Sequence, residues 1–236
     1  MLIVHDKRLP EKYTRALSQK IGGASFLAFE GVPSSGYESI RAHPDIYFFQ
    51  LDRDSLVHSP SVPDGYLKIL RRAGVRLIKG AEDPGEKYPY TAPYNAVRVG
   101  DAVFCNSRYT DPVIKQMLKR EGLRCVDVKQ GYARCSVIPV SGNALITADR
   151  GIAEAAGREG FAVLLVTAGA VVLPGEKAGF LGGAAGVAGE KIFFLGSIET
   201  HPDSERMKEF LRGHSAEYRD IESEPLYDAG SIMLFQ

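Results

Sequence analysis

The residues of this chain with the clearest chemical potential sit in one short stretch, Gly131-Tyr132-Ala133-Arg134-Cys135. A glycine-led loop there delivers a thiol onto an apolar run. Residues 131–148 are expected to form two β-strands joined by a tight turn at Ser141-Gly142-Asn143. A cysteine so placed has two readings. It is a nucleophile if its surroundings favour the thiolate, or a small buried residue that only packs. The chain has three cysteines and no CxxC spacing. That count fits a reduced, cytoplasmic protein with neither a disulfide framework nor a zinc site. No metal or cofactor is expected.

Bulk properties remove several function classes. The 236 residues are 44% hydrophobic and 25% charged, enough for a full globular core. Lys plus Arg and Asp plus Glu balance at 29 each, so the basic excess of a nucleic-acid binder is missing. The longest apolar zone, residues 161–173, is too short to span a bilayer and carries glycine. Met1-Leu2-Ile3-Val4 runs straight into charge, unlike a signal peptide. No membrane partner is expected.

The elements that would position Cys135 repeat along the chain. Short apolar runs begin at Met1, Asp45, Asp101, Asn143 and Glu190, four of them just after a turn former (Pro44, Gly100, Gly142, Gly189). Each leads into a helical pattern, near residues 10–21, 63–73, 112–121, 151–158 and 202–212. Four of these have proline in or just before the first turn. Gly22, Gly74, Gly122, Gly160 and Gly213 are placed to close them. A second strand follows each helix, near 25–29, 75–78, 123–128, 161–166 and 216–221. A loop and a third strand complete the unit. Strand, helix, strand, loop, strand thus recurs five times, in a single domain over 1–236 with repeats of about 1–44, 45–100, 101–142, 143–189 and 190–236.

The termini supply two halves of one hairpin. Met1 begins in a post-turn strand, and Gly230-Ser231-Ile232-Met233-Leu234-Phe235 reads as the strand before such a turn. Pairing them closes a ring and removes an open sheet edge. The fold class is therefore α/β, a five-bladed propeller of pseudo-fivefold units with N- and C-terminal strand closure. An open α/β sheet is the alternative.

Such a ring resembles the pentein fold of the amidinotransferase-like superfamily, with its arginine deiminases, agmatine deiminases, dimethylarginine dimethylaminohydrolases and amidinotransferases. The Gly131–Cys135 loop followed by Ser136-Val137-Ile138-Pro139-Val140 resembles the nucleophile loop of arginine deiminases. The resemblance implies covalent chemistry at a guanidinium carbon, with a cysteine nucleophile, a histidine acid/base and guanidinium-binding carboxylates. Cys135 takes the first role, and Arg134 would favour its thiolate. At the ring-equivalent positions, near Tyr37, Tyr94-Asn95, Gly182-Gly183 and Gly230-Ser231, there is no histidine. His201 and His5, at ends of first strands, are the acid/base candidates. The plainer reading for both, as for His58, is a polar residue at a helix start. His43, assigned to a hairpin turn, and His214 are expected at the surface. Arg134, Asn95, Glu82, Asp83, Asp228 and Ser231 are the substrate-binding candidates. Glu30, Asp127 and Glu224 occupy similar loops, and solvated charge is the default for all such carboxylates.

Two long loops, 81–93 and 169–189, are candidate lids or binding segments. The second is glycine-rich but lacks the ending of a phosphate loop. Two functions stay open. One is a cysteine-dependent enzyme acting on a guanidino or related small cation. The other is a non-catalytic ring that binds a small ligand or a protein partner, as the ribosome anti-association factors do.

Overall fold

A computed structural model describes residues 1–32 and 36–235. The chain runs β1 (Leu2–Asp6), α1 (Glu11–Ile21), β2 (Ser25–Phe29), α2 (Pro44–Tyr47), β3 (Phe48–Gln50), β4 (Ser55–His58), α3 (Asp64–Arg72) and β5 (Arg76–Lys79). It continues with β6 (Val97–Val99), β7 (Ala102–Cys105), α4 (Pro112–Arg120), β8 (Arg124–Asp127), α5 (Ala133–Ser136), β9 (Val137–Ser141), β10 (Ala144–Thr147), α6 (Arg150–Arg158) and β11 (Ala162–Leu165). Last come β12 (Ala185–Ala188), β13 (Lys191–Phe194), α7 (Ser204–Gly213), β14 (Glu217–Asp220) and β15 (Met233–Phe235).

These strands form five three-stranded sheets: β15-β1-β2, β3-β4-β5, β6-β7-β8, β9-β10-β11 and β12-β13-β14. In every sheet the central strand is antiparallel to one neighbour and parallel to the other, and the parallel pair is joined through a helix. The first sheet contains both ends of the chain. Leu2, Ile3 and Val4 pair antiparallel with Phe235, Leu234 and Met233. The expected closure is present, and the fold is the five-bladed α/β propeller.

The helices show why the ring holds. Each turns its apolar face toward the preceding blade. Leu67 and Leu70 of α3 pack with Leu27 and Phe29. Ile114, Met117 and Leu118 of α4 pack with Phe49 and Val57. Ile152, Ala155 and Ala156 of α6 join Phe104 and Val126, and Met207 and Leu211 of α7 join Ile146 and Leu164. Cyclic order then requires α1 to meet the last blade, and Tyr13 and Leu17 do pack with Phe193 and Leu195. Full burial of each Leu-sized side chain is worth about 1.5–3 kcal/mol, so every blade junction carries its own apolar cluster.

Local signals set the elements as physics requires. Asp111 and Asp149 cap α4 and α6, accepting from Val113 N at 2.7 Å and Ile152 N at 2.8 Å. Gly100 sits at φ +60° in the β6–β7 turn, where a Cβ would lie 1.9 Å from the Gly142 carbonyl oxygen of the next hairpin. At α7 the expectation shifts by two residues. Gly213 is the helix's last residue, and Ser215 adopts the left-handed conformation, φ 54°.

One blade departs from its expected register. Asp45 does not open a first strand after a turn at Pro44. It lies in the one-turn helix α2, ahead of β3, and the hairpin turn falls later, at 52–54. Pro44 occupies the first turn of α2, where its missing N–H costs nothing. The later turn forms without glycine because the Asp52 carboxylate accepts from Asp54 N at 2.9 Å. Tyr37, taken as the inner position of this blade, is instead 43% exposed.

Candidate active site

Each blade's third strand is preceded by a short segment at the ring axis. These segments bring Asp45, Asn95, Cys135, Gly182 and Ser231 together from five blades. Cys135 is held from two sides. The Asn95 side-chain oxygen accepts from Arg134 N at 2.8 Å and Cys135 N at 3.2 Å. Its amide nitrogen donates to Cys135 Sγ at 3.1 Å and to the Asp45 carbonyl at 3.2 Å. One amide thus fixes the backbone and the sulfur of α5 together.

The thiol donates in turn to Asp45 Oδ2 at 3.1 Å, and Ser231 Oγ lies 2.9 Å from the same oxygen. Asp45 is fully buried. Burial pushes its carboxyl up to about 6, opposed by His43 and reinforced by Asp228. Burial, with the Asp45 and Asp228 charges next, lifts the Cys135 thiol well above the ordinary range. The centre therefore favours the neutral form of its sulfur.

His43 contradicts its expected surface position. It is 2% exposed, with Nε2 3.7 Å from Asp6 Oδ2 and Nδ1 4.0 Å from Asp228 Oδ1. Among the described residues, His43 Nδ1 and Asp45 Oδ1 are buried without a hydrogen-bond partner. Buried polar groups are rarely left so, and these two lie two residues apart on one axis segment. Asp228 is fixed opposite, accepting from Phe180 N at 2.8 Å and Gly230 N at 2.9 Å. A Cβ on Gly183 would fall 2.0 Å from Asp228 Oδ1, so only glycine lets this carboxylate reach the axis. Asp6, His43 and Asp228 also line a small cavity of about 60 Å³ with Arg8, Ser39 and Tyr227.

The other expected residues distribute as follows. Arg134 spends its guanidinium on the carbonyls of Val137, Gly182 and Ala185, tying two blades, and borders a 560 Å³ cavity on the hairpin side of the ring. His5 is buried beside Phe26, with Nδ1 against the Asp6 carbonyl at 2.8 Å. His201 accepts from Asp203 N at 3.0 Å and lines a separate 290 Å³ cavity. Neither histidine is among the described hydrogen-bond partners of Cys135, whose sulfur meets Asn95 and Asp45. Glu82 is exposed, its carbonyl accepting from Tyr94. Asp83 accepts from Ser59 at 2.6 Å and Ser61 N at 2.8 Å. Both stay at the rim. Glu30 and Glu224 pair with Lys7 and Lys12 at the surface. Asp127 accepts from Ser107 N.

Both long loops reach the nucleophile loop. Tyr88 from the first and Phe180 from the second flank the Tyr132 ring at centroid distances of 5.3 and 5.8 Å. Tyr132 OH and Thr91 Oγ1 are 2.5 Å apart. Aromatic rings thus cover the segment that carries the thiol.

His43 and Asp45 are the site residues that sequence reasoning missed. A signal was present: a His-x-Asp pair followed by the apolar run Phe48-Phe49, mirroring the polar-to-apolar step at Cys135.

The ring has the fold class of the penteins, the five-bladed α/β propeller. Within that class, the chain belongs to a family of unknown function (DUF6873), which matches residues 4–233. Comparison with curated proteins gave no match. Among solved structures, a dimethylarginine dimethylaminohydrolase from Pseudomonas aeruginosa in complex with citrulline superposes with TM-score 0.56 at 11% identity, covering 94% of this chain and 92% of that one. The agmatine deiminase of C. jejuni gives 0.51 at 9%, covering 94% and 87%. The N-terminal domain of ArgZ, covalently bound to a reaction intermediate, gives 0.52 at 13%, covering 93% and 90%. At these identities the likeness is one of fold. Among the described residues no helix is long and apolar enough to cross a membrane, and no cluster of three or more His, Cys, Asp or Glu could hold a metal.

Proposed function

We propose that the protein is a cysteine-dependent enzyme acting on a guanidino or related small cationic compound. Cys135 is the nucleophile, His43 the acid/base, and Asp45 and Asp228 the carboxylates that hold the cation. The observation that carries this reading is the meeting of the Cys135 sulfur with the buried Asp45 carboxylate, near a His43 whose Nδ1 has no hydrogen-bond partner. Two buried carboxylates with few counter-charges favour a cation, and a planar guanidinium matches them through paired hydrogen bonds. Its charge offsets those of Asp45 and Asp228 and lets the thiol ionise on binding.

The thiolate then attacks the central carbon. An amine leaves with a proton from the His43 imidazolium, whose Nε2 lies 3.7 Å from Asp6 Oδ2. Water, deprotonated by the now neutral imidazole, attacks the same carbon and releases the sulfur. The substrates named for the fold neighbours, dimethylarginine and agmatine, are guanidino compounds and agree with this class. His43 replaces His5 and His201 in the acid/base role.

Cys135 is only 4% exposed, and its thiol is held as a donor. That observation favours the second reading, a ring that binds a cation without turning it over. A panel of guanidino compounds, assayed for released amine and for binding by calorimetry, separates the two. Turnover by wild type, lost in Cys135→Ala and in His43→Gln, supports the enzyme. Binding with no product from any compound, or full turnover by Cys135→Ala, overturns it.

A further inference from the structure

A second thiol site lies away from the axis, on the blade built from β6, β7 and β8. Register pairs Val103 with Cys125 and Cys105 with Asp127 along the parallel strands β7 and β8. Cys105 and Cys125 are therefore diagonal neighbours on one face of the sheet. Their sulfurs are 3.3 Å apart. Both cysteines are free, Cys105 fully buried and Cys125 exposed on the outer strand. A disulfide needs about 2.05 Å, so the two sulfurs must close by roughly 1 Å more to bond.

We propose that Cys105 and Cys125 form a reversible redox pair, with Cys125 as the thiol that meets a hydroperoxide and Cys105 as the one that resolves it. In the first step the Cys125 thiolate attacks one oxygen of the peroxide. An S–O bond forms, the O–O bond breaks, and hydroxide leaves, to be protonated to water. In the second step Cys105 sulfur, losing its proton, attacks the Cys125 sulfenic sulfur and expels the oxygen as water. Two thiols and one hydrogen peroxide give one disulfide and two waters.

The roles follow from the surroundings. Cys125 faces solvent, and the hydrogen bond from Cys105, with Lys115 nearby, pulls it down to about 7 against the opposing effects of burial and Asp127. Cys105 is shielded behind it, raised by the same contact and by burial. Cys135 offers no such opening, since its sulfur is neutral and enclosed.

The product would lock β8 to β7 just before the nucleophile loop. That loop is already tied to β7, since Val128 N donates to the Cys105 carbonyl at 3.0 Å and Asn106 Nδ2 to the Lys129 carbonyl at 2.9 Å.

Thiols are counted after unfolding the full-length protein, before and after treatment with a slight excess of hydrogen peroxide. Peptide mapping locates any cross-link. The expected count falls from three to one, dithiothreitol restores it, and one intramolecular peptide joins Cys105 to Cys125. Cys135→Ala should form the same link, whereas Cys125→Ser, an exposed change, should form none and keep its two remaining thiols. A sulfinic acid on Cys125 with Cys105 still free, a link through Cys135, or an unchanged count at peroxide levels that oxidise a free cysteine peptide would each overturn the proposal. None of these outcomes depends on the activity proposed for the ring axis.

Discussion

Cys135 Sγ donates a hydrogen bond to Asp45 Oδ2 across 3.1 Å, with both groups buried at the centre of the ring. A thiol beside a carboxylate is held neutral, so in the proposed reaction the nucleophile would be withheld until a cation arrives. Asp45→Asn removes that charge while keeping an acceptor for the thiol and for Ser231. The variant's Cys135 should react with a small alkylating agent at pH 7 several-fold faster than wild type, while turnover of guanidino compounds falls at least about 100-fold, in the range seen when a charge-stabilising group is removed. Mass spectrometry of the Cys135 peptide over time measures the first. An unchanged alkylation rate would show that Asp45 does not control the thiol.

The same carboxylate should cost stability. Asp45 moves from 3.8 in its ordinary state to about 6 in the fold. Its folded value is the higher one, so the folded state binds this proton more tightly than the unfolded chain. The benefit is complete below about pH 4 and disappears as pH rises through 6. Two units correspond to on the order of 3 kcal/mol. Asp45→Asn should therefore stabilise the protein by about 1–3 kcal/mol at pH 7.5, the usual scale of a functional residue's cost, and by clearly less at pH 4.5. Urea unfolding at the two pH values tests the sign. A variant less stable than wild type at pH 7.5 would refute it.

Gly182 is where one blade's backbone meets another's. A Cβ there would sit 2.4 Å from the Arg134 carbonyl and 2.5 Å from that of Val137, with no flexible side chain to give way. Gly182→Ala should lower stability by about 1–3 kcal/mol, as overpacking does. It should also loosen Cys135, whose neighbours are displaced. A melting temperature equal to wild type would contradict the close approach of the two segments.

Leu17 tests ring closure. It is completely buried and belongs to the cluster joining the first blade to the last. Leu17→Ala should cost about 2–5 kcal/mol. The exposed Lys20 on the same helix offers a control, and Lys20→Ala should change stability by no more than about 0.5 kcal/mol. Comparable effects of the two would mean that α1 does not seal the ring.

Much of this architecture is legible in the sequence because its punctuation is local. Proline at helix starts and the glycines at 22, 74, 122 and 160 mark units whose patterns need no knowledge of the rest of the chain. The terminal hairpin follows from the phase of the repeat. The inner histidine and aspartate do not follow so simply. Ile46 to Phe49 is a continuous apolar run with no alternation, and a four-residue helix leaves no 3.6-residue period to read. Pro44 signals a turn and a helix start equally well. A turn at Pro44 puts His43 on a hairpin tip and Asp45 on a strand. Asp228 and Ser231 lie where expected, but only folding shows that Asp228 is admitted to the axis by Gly183. The Cys105–Cys125 approach is a matter of parallel register, which sequence spacing of twenty residues does not reveal.

The most direct test of the central claim is to trap the covalent species. With His43→Gly, a guanidino analogue whose leaving group needs no proton, an S-alkyl isothiourea, should still be attacked by Cys135 under the proposed mechanism, while the water that releases the product would have no base. The modified enzyme then accumulates. Incubation with a panel of such compounds, an acid quench and peptide mass analysis should show Cys135 carrying the compound less its departed thiol, with no such mass in His43→Gly/Cys135→Ala. An unmodified Cys135 across the whole panel, together with no product from wild type, would contradict a catalytic role for this thiol.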